Sequence, residues 1–244
     1  LDAFWIFPAM ILAGAAGGWA WGMVPAMLRN WFGASEILVS LMLVYVAQRI
    51  AAWMAFGPMK NPEGFNFPGS RNLQQYEPAS NPELIANSGL HWGGVAAILA
   101  LAATWFVMSR HVLGFHIRTA GAAPRAARFA GVRPERLVAL CLGVSGALAG
   151  LAGLFEVAGP AGQITESFGS GYGFTAIIVA FLGRLHPLGI LLAGLLMALT
   201  YIGGELAQMM LNLPAATVQV FQGMLLFFLL GFDLLTRYRI RRRA

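Results

Sequence analysis

The residues with the most obvious potential for covalent chemistry are a serine and a histidine in glycine-containing stretches. Ser145 stands in GVSG, at 143–146, and His186 opens HPLGILLAG, at 186–194. A serine acts as a nucleophile only when a base lies within hydrogen-bond reach of its hydroxyl. Ser145 lies two turns into an apolar segment among small residues, whereas His186 lies in a turn beside Arg184. We therefore predict that Ser145 is a packing residue and that the chain has no catalytic serine.

A second group of polar residues forms a basic island at 115–136, FHIRTAGAAPRAARFAGVRPER. It contains five of the 16 lysine and arginine residues of a chain in which 11% of residues are charged. Pro124, followed by RAARFA and Gly131, predicts a helix of about two turns at 124–130, because proline favours the first helical position and glycine the position past the end. Such a short helix is marginal in water, so we expect it to rest against another surface.

Two interpretations of the island remain open. Its arginines could serve only to fix the topology and contact lipid headgroups. Alternatively, the short helix docks on a cytoplasmic partner, with Arg125 and Arg128 three residues apart on one face. Phe129 and the alanines give the rest of the helix a small apolar surface. Nucleic acid is not an expected partner, because no recognised binding module surrounds the segment.

The sequence lacks the motifs of nucleotide and metal chemistry. Lys60 is the only lysine and follows FGPM rather than a glycine-rich phosphate loop. There is no HExxH, no CxxC and no acidic cluster, and Cys141 is the only cysteine. We therefore expect a chain that is not an enzyme and binds no metal or cofactor, with any ATP and magnesium held by another chain.

The elements that must position these residues are membrane helices. The chain is 58% hydrophobic, and its mean hydropathy is +0.69, whereas a soluble domain has about 25% charged residues. These values predict an all-α, polytopic transmembrane helical bundle, as a single domain over 1–244. The chain opens at Leu1 without a basic segment, so we expect no signal peptide and a missing N-terminal part of the natural protein.

Seven apolar segments are candidates to enter the membrane, so that six or seven crossings are predicted. They lie at 3–28, 36–56, 91–109, 137–158, 173–183, 187–204 and 216–235. Ser35 and Glu36 predict a capped start of the second. The segment 173–183 is shorter than the roughly 20 residues of a full span and suggests a short or broken helix.

Arginine predicts the orientation of these segments. The island at 110–136 and the tail RYRIRRRA at 237–244 are both strongly basic, so both should be cytoplasmic. An even number of crossings must then separate them, and we infer that 173–183 crosses. The turn at 29–35 then lies inside, and the proline-rich loop at 57–90 is extracytoplasmic.

Small residues predict two helix-packing faces, because they let backbones approach closely. One set lies in the first segment and the other in SGALAGLAG of the fourth: Gly14, Gly18 and Gly22, and Ser145, Gly146, Gly150 and Gly153.

Polar and aromatic residues inside the spans are candidates to line a pathway. We select Tyr45, Gln48, Glu156, Phe174, Gln219 and Gln222. Two alternatives remain open: the glutamines form hydrogen bonds between helices, and Glu156 forms a structural ion pair with Arg49.

Three stretches together resemble one protein family. GFHIRTAGAAPRAARFAGV, with SGALAGLAG after it, resembles the cytoplasmic coupling loop and next span of ABC-transporter permeases of the branched-chain amino acid, ribose and nucleoside type. FGASEILVSLMLVYVA, at 32–47, and GYGFTAIIVAFLGRLHPLG, at 171–189, are similar to the nucleoside and simple-sugar permeases that work with basic-membrane-protein-type lipoproteins. The chain departs from the family pattern at Val44 and Ala123, where asparagine is frequent.

The resemblance implies a multi-pass permease of the bacterial inner membrane, with a cytoplasmic C-terminus and about two further N-terminal spans. It implies three protein partners: a cytoplasmic ABC ATPase, a second permease subunit that makes a homodimer or heterodimer, and an extracytoplasmic substrate-binding lipoprotein. Membrane lipid surrounds the assembly. The residues implied to couple to the ATPase are Arg118, Gly121, Pro124, Arg125, Ala127, Arg128, Phe129 and Gly131.

The function that the resemblance implies is import of nucleosides driven by ATP. The alternatives are the same machine carrying ribose, other simple sugars or branched-chain amino acids. From other classes come an ion-coupled secondary transporter that uses Glu156 or Glu205, and a protease, because GVSG and HPLG are similar to signatures of rhomboid intramembrane serine proteases. A secondary transporter commonly shows an internal repeat, and this sequence shows no convincing one.

Overall fold

The structure is a computed structural model that describes residues 3–64, 68–85, 88–165, 168–169, 171–212 and 214–237. The chain divides into two compact units, Leu1–Phe168 and Gly169–Ala244. Regular structure in the described part is helical, which confirms the predicted all-α class.

Nine α-helices account for the described secondary structure, together with 3₁₀ turns at Ala3–Trp5 and Leu73–Gln75. The first unit contains α1 (Ile6–Phe32), α2 (Glu36–Phe56), α3 (Trp92–Arg110), α4 (Val112–Ala122), α5 (Pro124–Phe129) and α6 (Pro134–Ala158). The second contains α7 (Tyr172–Leu182), α8 (Pro187–Leu211) and α9 (Ala215–Arg237).

Five helices of the described part are long and apolar enough to cross a membrane: α1, α2, α3, α6 and α8. Helix α7 is apolar but has 11 residues, or about 16 Å at the usual rise per residue. The prediction of a short helix near 173–183 is therefore confirmed, whereas its crossing stays a prediction. The protein is a multi-pass membrane protein.

The turn predicted at 29–35 is wrong in its extent, since α1 continues to Phe32. Gly33 ends the helix in the left-handed conformation, at φ 65°, which glycine adopts without steric cost. Arg29 stays helical and forms an ion pair with Glu36 at the start of α2. Ser35 occupies the position before α2, but its side chain makes no capping hydrogen bond.

The first unit is centred on the antiparallel contact of α1 with α6. Gly14 lies against Gly150, Gly18 against Gly146, and Gly22 against Leu142. A Cβ atom added to Gly146 would lie 2.3 Å from the carbonyl oxygen of Gly18, so the backbones are already at contact distance. The two predicted small-residue faces therefore pack against each other.

Two members of the predicted packing face lie outside this contact. Ser145 is exposed, and a Cβ added to Gly153 would meet no atom within 4 Å. Neither residue takes part in the close glycine contact: Ser145 lies about 100° around α6 from Gly146, and Gly153 lies almost one turn beyond Gly150, the last of the close contacts. Their role in helix packing stays a prediction.

The opposite ends of the first unit are formed by different segments. At one end, the last turn of α1 lies close to the beginning of α6, since the Asn30 side chain donates a hydrogen bond to the Glu135 carbonyl. At the other end, the loop after α2 folds over the end of α6, where the backbone amide of Asn81 donates to the Ala158 carbonyl at 2.7 Å. The loop and the basic island therefore occupy opposite ends of the unit, as predicted. Which end faces the cytoplasm stays a prediction.

In the second unit, α7 packs against both α8 and α9. The hydroxyls of Thr175 and Tyr201 share a hydrogen bond of 2.7 Å between α7 and α8. The connection from α7 to α8 is tight, and Arg184 and Leu185 both adopt left-handed conformations there. Helix α8 extends seven residues past the predicted end at 204, so Glu205 and Gln208 lie in its last two turns.

Candidate coupling site

The basic island contains two helices where the sequence predicts one. Helix α3 ends at Arg110, and His111 begins α4 by accepting a hydrogen bond from the Leu113 amide at its Nδ1. Gly114 allows the sharp corner, because a Cβ there would lie 2.3 Å from the Val107 carbonyl oxygen. Helix α4 has neither a proline at its start nor a glycine directly after its end, which are the two signals that mark α5. Local sequence patterns therefore do not reveal it.

Arg118 has an internal role in this corner. Its guanidinium donates to the Met108 carbonyl at 2.6 Å and to the Gly114 carbonyl at 3.4 Å. Since the last carbonyls of a helix lack intrahelical partners, Arg118 completes the end of α3 and fixes α4 beside it. Arg118 thus has a structural role in this conformation, and its implied contact with an ATPase stays a prediction.

Helix α5 confirms the predicted two-turn helix, at Pro124–Phe129. Pro124 is at its start, and Gly131 follows its end with φ 77°. The Val132 amide donates to the Ala127 carbonyl and closes the turn. Because Ala127 is fully buried, it holds α5 against the rest of the unit and is not available to a partner.

The outward surface of α5 presents an aromatic ring and a cation. The side chain of Phe129 is 95% exposed, and Arg125 is exposed on the same short helix. An aromatic side chain so fully exposed gains nothing from the fold of this chain. Arg125 and Phe129 are therefore the island residues that suit contact with another molecule.

Arg128, by contrast, is engaged within the chain. Its Nη2 donates to Oε1 of Glu135 at 2.5 Å, across the turn that joins α5 to α6. The Asn30 side chain donates to the backbone carbonyl of the same Glu135 at 3.0 Å. A neighbouring carboxylate and a second hydrogen bond thus connect α5, α6 and the end of α1.

A cavity of about 600 Å³ lies behind α5. It is bounded by the end of α1, the starts of α2 and α6, the end of α4, and α5. Gly121 and Pro124 line it, together with the ion pairs Arg29–Glu36 and Arg128–Glu135. Four of its charges are therefore paired with one another.

The candidate pathway residues are distributed over several helices. Tyr45 and Gln48 lie on α2, where Tyr45 is exposed and lines a shallow groove with Arg49 and Trp53. Glu156 is half-buried in the last turn of α6. In the described part α2 packs against α1 and not against α6. The ion pairs described there join Arg29 to Glu36 and Arg128 to Glu135, and the Arg49–Glu156 pair considered above is not among them.

The remaining pathway candidates lie in the second unit. Phe174 is half-exposed in the first turn of α7, and Gln219 is exposed on α9. The side chain of Gln222 lies outside the described residues, as does the tail at 238–244. The assignment of a pathway to these residues stays a prediction.

Glu135 and Asn30 also belong to this site, although no sequence pattern marks them as functional. The sequence shows Glu135 directly after Pro134, a typical acid in the first turn of a helix, and such an acid has a sufficient local role. Asn30 is 105 positions from Glu135, and no local pattern indicates that contact.

Comparison with known proteins connects this geometry to a family. Residues 1–230 match the family described as the permease component of the branched-chain amino acid transport system. The chain belongs to this family of ABC permeases. The relatives that it matches are named for transport of glucose, guanosine and nucleosides.

Three relatives illustrate this relationship. The chain is 34% identical to the glucose ABC transporter permease protein of Haloferax volcanii, over 98% of its own length and 65% of the relative. It is 29% identical to the guanosine permease of Bacillus subtilis, over 90% and 63%. It is 30% identical to the nucleoside permease of Lactococcus lactis, over 92% and 63%. The chain thus spans a little under two thirds of these relatives, and no solved structure matches it.

Proposed function

We propose that this chain is the main part of the membrane subunit of an ATP-driven importer and that its substrate is a nucleoside. The exposed surface of α5 carries the proposal. A six-residue helix held by one buried alanine presents a bare phenylalanine and an arginine. These 244 residues contain no phosphate-binding loop, and the proposal therefore places the ATP site on a partner ATPase.

Helix α5 is the proposed contact for a cytoplasmic ABC ATPase. Exposed aromatic residues that fill a pocket on a partner dominate many protein interfaces, and Phe129 has the required exposure. Arg125 adds a charge that orients the encounter. ATP and magnesium are bound by the ATPase, and this chain supplies the change of shape without bond chemistry.

The end of the unit opposite α5 is the proposed contact for a substrate-binding lipoprotein. The loop after α2 is ordered there by hydrogen bonds to the segment that follows α6: Ser70 and Leu73 donate backbone amides to the carbonyls of Ile164 and Gly162. A platform with this fixed backbone suits docking better than an unstructured loop, because less conformational entropy is lost on binding.

The proposed cycle uses both ends of the subunit. The loaded lipoprotein docks outside, ATP closes the ATPase dimer inside, and α5 moves with the ATPase. Two permease subunits, identical or different, then reorient and release the substrate through the space between them. The proposed location is the cytoplasmic membrane of a bacterium, with the C-terminus inside.

Nucleosides are the proposed cargo because two of the relatives described above are named for guanosine and nucleosides. A nucleoside offers a flat base for stacking and hydroxyl and amide groups for hydrogen bonding. Phe174 and Gln219 offer complementary groups. A simple sugar is the second candidate, because the relative named for glucose has the higher identity.

Uptake by the assembled transporter distinguishes the two cargoes. The full-length permease, its ATPase and its lipoprotein would be placed in liposomes with ATP inside, and uptake of a radiolabelled nucleoside would be competed with unlabelled glucose. We expect saturable, ATP-dependent nucleoside uptake that glucose does not reduce. Glucose uptake without nucleoside uptake would show that the substrate is a sugar. A permease that retains no ATPase would contradict the proposed function as an ATP-driven transporter.

A further inference from the structure

The most informative contact outside the exposed docking surface joins Arg128 to Glu135. Arg128 is the last cation of α5, and Glu135 is the second residue of α6. Their side chains are 2.5 Å apart, although both are well exposed, at 65% and 47% of the side chain. Glu135 also accepts a hydrogen bond from Asn30 at its backbone carbonyl.

We infer that Glu135 is a positioning residue that ties α5 to the α1–α6 pair, so that a movement imposed on α5 is delivered to both helices. This inference rests on the proposed function, because it needs a partner that moves α5. It assigns to Arg128 a role different from that of Arg125: Arg125 belongs to the surface for the partner, whereas Arg128 belongs to the connection behind that surface.

The packing of α1 on α6 makes the connection effective. Near their middle the two helices touch backbone to backbone, through Gly18 and Gly146. A contact without intervening side chains cannot be compressed by a change of rotamer. A displacement of the first turn of α6 is therefore shared with the last turn of α1, where Asn30 lies. The ion pair between Arg29 of α1 and Glu36 of α2 extends this series of polar contacts to α2.

The small size of α5 explains why one ion pair matters there. Within α5, Ala127 is the buried side chain, and a helix of six residues has little stability of its own. The direction in which α5 presents Phe129 then depends on Ala127 and on the Arg128–Glu135 pair. An exposed ion pair adds little to global stability, so its loss should alter the coupling more than the fold.

Charge exchange tests this inference in the complete transporter in liposomes. The variants are Arg128→Glu, Glu135→Arg, the double exchange, and Glu135→Gln, which removes the charge and keeps the shape. Arg125→Glu is the matched control, because Arg125 lies one turn earlier and forms no ion pair with a described residue. Two quantities are measured: the ATPase retained on purification, and the nucleoside imported per ATP hydrolysed.

We expect each single exchange to lower import per ATP by roughly two- to fivefold, the range that corresponds to the loss of an exposed pair, with most of the ATPase retained. Glu135→Gln should show a smaller loss, and the double exchange should restore at least half of the lost coupling. Arg125→Glu should instead reduce the amount of ATPase that is retained on purification. Adding Glu135→Arg to this variant should not restore that amount.

The results that overturn the inference differ from those that overturn the proposed function. A double exchange that couples no better than the single variants, or a normal Glu135→Gln variant, would remove Glu135 from the coupling path while the wild-type transporter still works. If the single exchanges do not fold, Glu135→Gln decides the question, because it keeps the side-chain volume. A wild-type permease that retains no ATPase would remove the proposed function and this inference together.

Discussion

Gly18 and Gly146 meet backbone to backbone at the crossing of α1 and α6: a Cβ atom added to Gly18 would lie 2.2 Å from the Gly146 carbonyl oxygen. Van der Waals contact requires more than 3 Å, so even a methyl group must push the helices apart. In a membrane, where apolar surface alone does not drive helix association, such close approach is the main source of packing energy.

Gly18→Ala should therefore destabilise the protein by about 1–3 kcal/mol, the usual cost of overpacking. Gly17→Ala is the matched control, because a Cβ at Gly17 meets no atom within 4 Å. Thermal unfolding in detergent, followed by size-exclusion chromatography of the surviving protein, measures both variants. Equal melting temperatures for the two variants would contradict the observed helix contact.

Phe129→Ala should weaken binding of the ATPase about 30-fold, which corresponds to about 2 kcal/mol for the loss of an aromatic anchor. The measurement is the Kd of the purified ATPase for the permease in nanodiscs. The matched control is Phe115→Ala on α4, whose ring is 62% exposed but lies outside α5. A similar loss in both variants would show that exposed aromatic area, and not α5, determines binding.

The sequence predicts the positions of the helices better than the contacts between residues that are far apart in the chain. The bounds of α2 and the position of α5 follow from local signals: the apolar run, the glycine or proline at each end, and Glu36 in the first turn. The spacing of the glycines in α1 and α6 also predicts a packing face on each helix, because small residues four apart lie on one side of a helix. Their pairing with each other became visible only in the structure.

The differences between the sequence-based assignments and the observed contacts have a common physical origin. Size alone groups Ser145 and Gly153 with the packing glycines, although Ser145 is exposed and a Cβ added to Gly153 meets no atom within 4 Å. The family resemblance implies a partner contact for Arg118 and Arg128, and the structure shows that each also has an acceptor within the chain. Their contact with an ATPase stays a prediction. Residue type limits what a side chain can bind, but the fold decides which acceptor is close enough.

Asn81→Asp should be among the most damaging substitutions in the loop that covers the end of α6. Asn81 is 3% exposed, its amide group donates to the Phe155 carbonyl, and its Oδ1 accepts no hydrogen bond from a described residue. An aspartate would lose the amide donor and place a carboxylate beside carbonyl oxygens. At pH 8 we expect a loss of about 3 kcal/mol, as for an uncompensated buried charge.

The pH dependence of this variant gives a second check. Burial raises the pKa of a carboxyl group, so the aspartate becomes neutral as the pH falls, and the loss of stability should be smaller at pH 5 than at pH 8. Asn61→Asp is the control, because Asn61 uses its Oδ1 to accept from the Glu63 amide, and a carboxylate can do the same. A pH-independent loss at position 81 would indicate that the side chain is not buried.

The turn between α7 and α8 offers a prediction of the opposite sign. Leu185 has φ 56° and is 72% exposed, so it adopts the left-handed conformation without burying its side chain in return. That conformation costs a non-glycine residue roughly 1–2 kcal/mol. Leu185→Gly should therefore stabilise the protein by about 1 kcal/mol. Leu188→Gly, at an exposed position in the first turn of α8, should instead destabilise it by roughly 0.5 kcal/mol, less than glycine costs in a helix interior. Melting temperatures of the two variants measured side by side check the sign.

If Leu185→Gly lowers the melting temperature as Leu188→Gly does, the left-handed turn is not the conformation of the folded protein. If it raises the melting temperature but slows substrate uptake, the strain at Leu185 serves the transport cycle.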